Sequence, residues 1–197
     1  MKSLFKVIVL TAAVAVLAGC GGNSGIQYTD PTAVDNSSLN FGSTDLQTTA
    51  QKMTDSMLTF PPVVRITANS TPVLFVDSIK NETSQQINTD NISNMIMTEL
   101  IQSGKFEFVD PSVATSVKAQ LTYQQDSGLV DPASAMKAGT QIGAQYMMYG
   151  SVTNMAGVGS NGQTVSQYYL ITMKLLDLKT GIIVWADQKQ IRKVNNS

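Results

Sequence analysis

Residues 71–110 read TPVLFVDSIKNETSQQINTDNISNMIMTELIQSGKFEFVD. Within them Val73–Val76 is a compact apolar run, too short for a helix and rich in β formers, which predicts a strand buried on both faces. A helix follows: Asn88 or Thr89 serves as its cap, Ile92, Met95, Ile96 and Leu100 recur on one stripe, and Gly104 stands at the C′ position. Residues 105–110, KFEFVD, then alternate Phe106 and Phe108 against Glu107, the pattern of a short strand.

Working outward, residues 45–60, DLQTTAQKMTDSMLTF, predict a helix capped by Ser43 or Thr44, with Leu46, Ala50, Met53 and Met57 on its apolar stripe. Pro61 and Pro62 stop it. Downstream, Asp110-Pro111 is a cap followed by proline at the first helical position, opening a helix through residues 112–124. Asp131-Pro132 repeats the signal ahead of 133–144. The last third changes character. Residues 145–155, 164–178 and 182–193 are extended segments separated by a glycine-rich loop, AGVGSNG, and the tight turn KTG, and predict an antiparallel meander. In the middle segment Tyr169, Ile171, Met173 and Leu175 form the more apolar face. The order α, β, α, β, α, α, β, β, β defines an α+β fold: a mixed sheet of about four to five strands packed against helices.

The amino-terminal stretch has a different logic. Lys2 and Lys6 precede an apolar segment of about a dozen residues, shorter than the roughly 20 a spanning helix needs, and small residues close it. That is the build of a secretory signal over residues 1–19. Leu17-Ala18-Gly19-Cys20 resembles the lipobox of bacterial lipoproteins, in which the cysteine becomes the acylated first residue of the mature chain. Cys20 is the sole cysteine, so it forms no internal disulfide, and a chain without histidine offers it no imidazole base. By the same resemblance, Gly21 in place of aspartate directs the lipoprotein to the outer membrane, facing the periplasm. Three acyl chains would hold it firmly, since burial contributes about 0.8 kcal/mol per methylene. Residues 20–43 have few apolar residues and many turn formers, and are expected to be a lipidated flexible tether ahead of a globular domain over 44–197. Fully extended, the roughly 23 residues after Cys20 reach about 75 to 80 Å at most, and as a coil about 25 to 30 Å.

Composition narrows function. A net charge of −1 supplies no basic field for nucleic acid. Asp77, Asn81 and Glu82 close the first strand, where α/β folds often place function, but no partner group for acid-base work is identifiable and a solvated loop is the simpler reading. The glycine-rich loop joins two strands instead of preceding a helix, so it makes no phosphate cradle. Met53, Met57, Met95, Met97, Met147 and Met148 recur at core spacing, which favours packing over copper handling. Trp185 reads as an inter-layer packing residue. Tyr146, Tyr149, Tyr168 and Tyr169 crowd neighbouring strands, and alternation turns some outward as material for a protein interface. Catalytic groups, metal ligands, cofactors and a small-molecule substrate are not expected; the chain reads as a binding module.

The segments 72–110, IGAQYMMYGSV (142–152) and LLDLKTGIIVWADQKQ (175–190), in this order behind a lipobox and tether, resemble the LpoB family of outer-membrane lipoproteins over roughly residues 44–193. The resemblance implies a non-enzymatic domain that activates a class A penicillin-binding protein in peptidoglycan synthesis. The Thr180-Gly181 hairpin with Trp185 is also similar to the curli secretion lipoprotein and the amino-terminal domain of TolB, so it speaks for fold, and an accessory role in envelope assembly or secretion is the alternative function. In the family, the second tyrosine of a Y-x-x-Y stretch belongs to the partner-binding patch. The matching residue is Tyr149.

Overall fold

A computed structural model describes residues 30–34, 37–110, 112, 113, 116, 143–159 and 164–196. The signal segment, Cys20, and most of the two helices expected over 112–144 lie outside these residues. The described elements are helices α1 (Ser43–Thr59), α2 (Pro61–Ile66) and α3 (Thr89–Gln102), and strands β1 (Val73–Glu82), β2 (Glu107–Phe108), β3 (Tyr146–Val158), β4 (Thr164–Asp177) and β5 (Ile183–Asn196).

One five-stranded sheet has the order β2-β1-β3-β4-β5. β1 runs parallel to both β2 and β3, while β3, β4 and β5 form the antiparallel meander. The sheet is therefore mixed, and the α+β architecture is as expected. Alternation along the strands sorts side chains onto two faces. Leu74, Val76, Ile79, Met148, Val152, Tyr169, Ile171, Met173, Leu175 and Trp185 share one face and form a single buried core with Ala50, Met53 and Met57 of α1 and Ile92, Ile96 and Leu100 of α3. Met53, Met57 and Met148 thus fill the core. A smaller cluster, Phe75, Ala144, Met147, Leu176 and Leu178, lies on the other face.

Several local features differ from the sequence expectation. α1 starts at Ser43, with Gly42 at the cap and its N–H donating to the Asp45 carboxylate at 2.9 Å. The two prolines end α1 and occupy the first positions of α2, where their missing N–H groups cost nothing. β1 continues past its apolar run to Glu82, because β3 supplies backbone partners for a polar stretch, with a register irregularity between Val76 and Ile79. β2 is only two residues long. β3 extends into the expected loop as far as Val158.

The carboxyl end of the expected tether also changes. Ser38–Gly42 are held against the folded body: Lys193 donates to the carbonyls of Asn40 (2.6 Å) and Ser38 (3.5 Å), and its ammonium pairs with Asp45 at 2.6 Å. The Tyr169 hydroxyl donates to the Leu39 carbonyl at 3.1 Å and accepts from Gln85 Nε2 at 2.6 Å. Phe41 meets the Tyr169 ring edge-on at 5.6 Å, and its N–H donates to Gln85 Oε1. This strap forms because Leu39 and Phe41 carry apolar surface with no place in a free coil, and because β5 offers a cation to three acceptors.

Candidate protein-interaction face

Helices α1, α2 and α3 all pack on one face of the sheet, as their core partners show. The other carries the smaller buried cluster of Phe75, Ala144, Met147, Leu176 and Leu178 at one end. Register places four rows across that face: Tyr149, Lys174, Ala186; Ser151, Thr172, Gln188; Thr153, Leu170, Gln190; and Met155, Tyr168, Arg192.

Tyr149 is half-buried and rests against the smaller apolar cluster. The Lys174 ammonium sits 5.9 Å from its ring centroid, within cation–π range. A phenol held on a rigid strand between apolar residues and a cation loses little conformational freedom on binding, which is the property of an interface anchor. Gln188 Nε2 donates to Thr172 Oγ1 at 3.2 Å in the next row, so the neighbouring polar groups are already ordered. Sequence alternation separates Tyr149 from Met148, which is buried beneath the helices.

The other tyrosines diverge. Tyr169 is buried in the core, and its hydroxyl is pushed above the ordinary tyrosine range mainly by burial and in part by the Asp45 charge, against hydrogen bonds that pull the other way. Tyr146 is raised by burial and by Asp177. Tyr168 stands half-buried on the Tyr149 face.

The remaining candidates take structural roles. Asn81 organises the loop after β1: its Nδ2 donates to the carbonyls of Gln85 (2.8 Å) and Ile87 (3.3 Å), and its Oδ1 accepts from Thr83 N–H and Oγ1. Asp77 accepts from the Ser78 N–H at 2.9 Å within the β1 irregularity. Glu82 is exposed at the strand end. Trp185 is buried between sheet and α1, donating from Nε1 to Ser56 Oγ at 3.3 Å. Ser56 in turn bonds Asp187, whose carboxyl burial would raise; hydrogen bonds from Ser56 and the Gln188 N–H, with the Lys52 charge, outweigh burial and hold it below the ordinary range. Among the described residues there is no group of three metal-ligating side chains and no helix long and apolar enough to cross a membrane.

Sheet and helices together define a small α+β domain with a mixed five-stranded sheet. The family model for the peptidoglycan-synthase activator LpoB matches residues 45–191, and the chain belongs to that family. The penicillin-binding protein activator LpoB of Escherichia coli K12 is 28% identical over 121 residues, 61% of this chain and 51% of that protein. The activator of the same name from Klebsiella pneumoniae is 25% identical over 125 residues, 64% of this chain and 54% of that one. The chain thus spans about half the length of the curated relatives it matches. Among solved structures, the LpoB carboxy-terminal domain from Salmonella enterica superposes with a TM-score of 0.56 at 24% identity, covering 75% of this chain and 98% of that one. The corresponding domain from Escherichia coli gives 0.52 at 23% identity, with the same shares. Both likenesses bear on the fold.

Proposed function

We propose that this chain is an outer-membrane lipoprotein, anchored through acylated Cys20, whose periplasmic domain binds and activates a class A penicillin-binding protein and carries out no catalysis itself. The observation that carries the reading is the family match over residues 45–191; the geometry that supports it is Tyr149, half-buried on β3 with Lys174 against its ring. Tyr149 is the anchor the partner's docking domain would desolvate. Activation then works by association alone: the domain stabilises the synthase conformation to which it binds better, by the free energy of that difference.

The test is capture of class A penicillin-binding proteins by the purified chain, followed by a glycosyltransferase assay on those recovered. Binding with faster glycan polymerisation is expected; absence of both overturns the reading. Tyr149→Ala should weaken binding by about tenfold or more, the scale of a truncated hot spot. Tyr149→Phe keeps the ring's packing and should retain most of the affinity. Equal binding by wild type and Tyr149→Ala removes Tyr149 from the interface.

A further inference from the structure

The end of the sheet farthest from Tyr149 carries exposed apolar side chains that neither the core nor the Tyr149 anchor uses. Met155 is 66% exposed, Val158 70%, Val165 37% and Val194 44%. Register sets Val158 opposite Val165, and Ser166 opposite Val194. Alternation therefore puts Val158 and Val165 on the face that bears the helices farther down, and Met155 and Val194 on the other. A ribbon apolar on both faces at one end fits surroundings that enclose that end. A second copy laid against one face would leave the other in water.

Charge points the same way. No acidic residue occurs from Gln145 to Leu176 or after Asp187, while Arg192, opposite Tyr168, lies on β5 toward this end beside Lys193, which pairs with Asp45. An apolar tip with an arginine beside it and no unpaired acid on its strands suits the boundary between acyl chains and anionic headgroups.

The chain's approach selects the occupant. Thr44 Oγ1 donates to the Ala33 carbonyl at 2.7 Å, and Lys193 holds Ser38 and Asn40. Val34, 72% exposed, and Ser38 share a cleft with Arg192 and Val194. The leash toward Cys20 thus begins at the apolar end. The thirteen residues after Cys20, through Ala33, reach about 45 Å at most. The opposite end, at the Lys179–Gly181 turn, lies about 44 Å farther along the strands.

We propose that this end of the sheet, built from Met155, Val158, Val165 and Val194, is a membrane-contacting tip that rests on the phospholipid surface to which the chain is tethered. The inference rests on the Cys20 anchor of the proposed function. It orients the domain, with the Tyr149 level of the sheet pointing away from the bilayer.

The test uses the acylated full mature chain in phosphatidylethanolamine–phosphatidylglycerol vesicles, with Val158→Trp as probe and Ile182→Trp, at the opposite end, as control. Native Trp185 is 2% exposed and gives a constant background. The expected result is a blue shift and a loss of emission with brominated lipid at position 158, and neither at 182. No quenching at 158, or equal quenching at both, overturns the proposal. A blue shift without bromolipid quenching that grows with protein concentration also overturns it, assigning the tip to a second copy. Mass spectrometry scores the anchor separately: a chain without acyl groups overturns the anchor, and quenching of the Val158→Trp variant at saturating lipid then decides the tip on its own, its presence keeping the proposal and its absence ending it.

Discussion

Replacing Lys193 with methionine removes the ammonium that ties residues 38–45 to β5 while keeping the apolar stem. Its side chain is 16% exposed and that of Asp45 10%, with 2.6 Å between charged atoms. Breaking a fully buried pair costs about 3–5 kcal/mol, and a surface pair about 1 or less. Asp45 retains the Gly42 N–H, so its carboxylate is not left bare. The expected loss is about 2 kcal/mol, or roughly 4–8 °C in Tm for a chain of this size. Thermal unfolding by circular dichroism measures the total. Asp45→Asn and the double variant complete a cycle whose coupling should be about 1–2 kcal/mol. Amide exchange supplies the local readout: the Phe41 N–H, bonded to Gln85, should exchange faster in Lys193→Met. A loss below about 0.5 kcal/mol, with unchanged protection at Phe41, would refute the strap as an energetic element.

Three other outcomes are expected. A Cβ at Gly150 would lie 2.3 Å from the Thr172 carbonyl oxygen and 2.6 Å from Met173 Sδ, so Gly150→Ala should cost about 3 kcal/mol or more, read as a lower urea midpoint. Because Asp187 titrates below its unfolded value of about 3.9, its contribution is present above that pH and disappears as pH falls through the folded value; Asp187→Asn should remove this part of the acid dependence of stability, and an unchanged profile argues against it. Cys20→Ser should leave unprocessed or soluble precursor, whereas unchanged outer-membrane fractionation would refute the lipid anchor.

What the sequence disclosed follows from the range of the forces involved. Alternation in β4 is a local property, and Tyr169, Ile171, Met173 and Leu175 are all fully buried, as the pattern demands. The apolar stripe of α3 behaved likewise, with Asn88 capping through its side chain. Polar strand ends were harder. Lys80–Glu82 has no apolar signature, and only pairing with β3 makes it a strand. The strap was not legible because Leu39 and Phe41 follow no period; their partners, Gln85, Tyr169 and Lys193, are brought near by the tertiary fold. The relay from Trp185 through Ser56 to Asp187 has the same origin, joining β5 to α1 across the core. For the interaction face, alternation disclosed which tyrosines could turn outward, but Lys174 beside Tyr149 required the β3–β4 register.

On the proposed Cys20 anchor, the strap changes the reach of the domain. With Ala33 also held by Thr44, a tether running from the proposed Cys20 anchor would have twelve residues between Cys20 and Ala33, for which a coil span would be about 17 to 21 Å. Against that loss, the strap attaches the leash at the Val158–Val165 end of the sheet, while the Tyr149–Lys174 pair lies nine register steps away. Nine steps of extended strand are about 30 Å, and this distance is rigid. Pulling a coil to the same extension costs entropy at every residue, whereas a sheet holds its length through hydrogen bonds made once on folding. On that anchor, a short tether fixed at one end of the sheet would displace the proposed Tyr149 face farther than the tether's own coil dimension, and in a defined direction. Releasing the strap with Lys193→Met should lengthen the leash yet widen the orientations of the face. If reach limits activation in cells, the variant gains activity; if orientation limits it, the variant loses activity while binding the synthase in solution as well as wild type does.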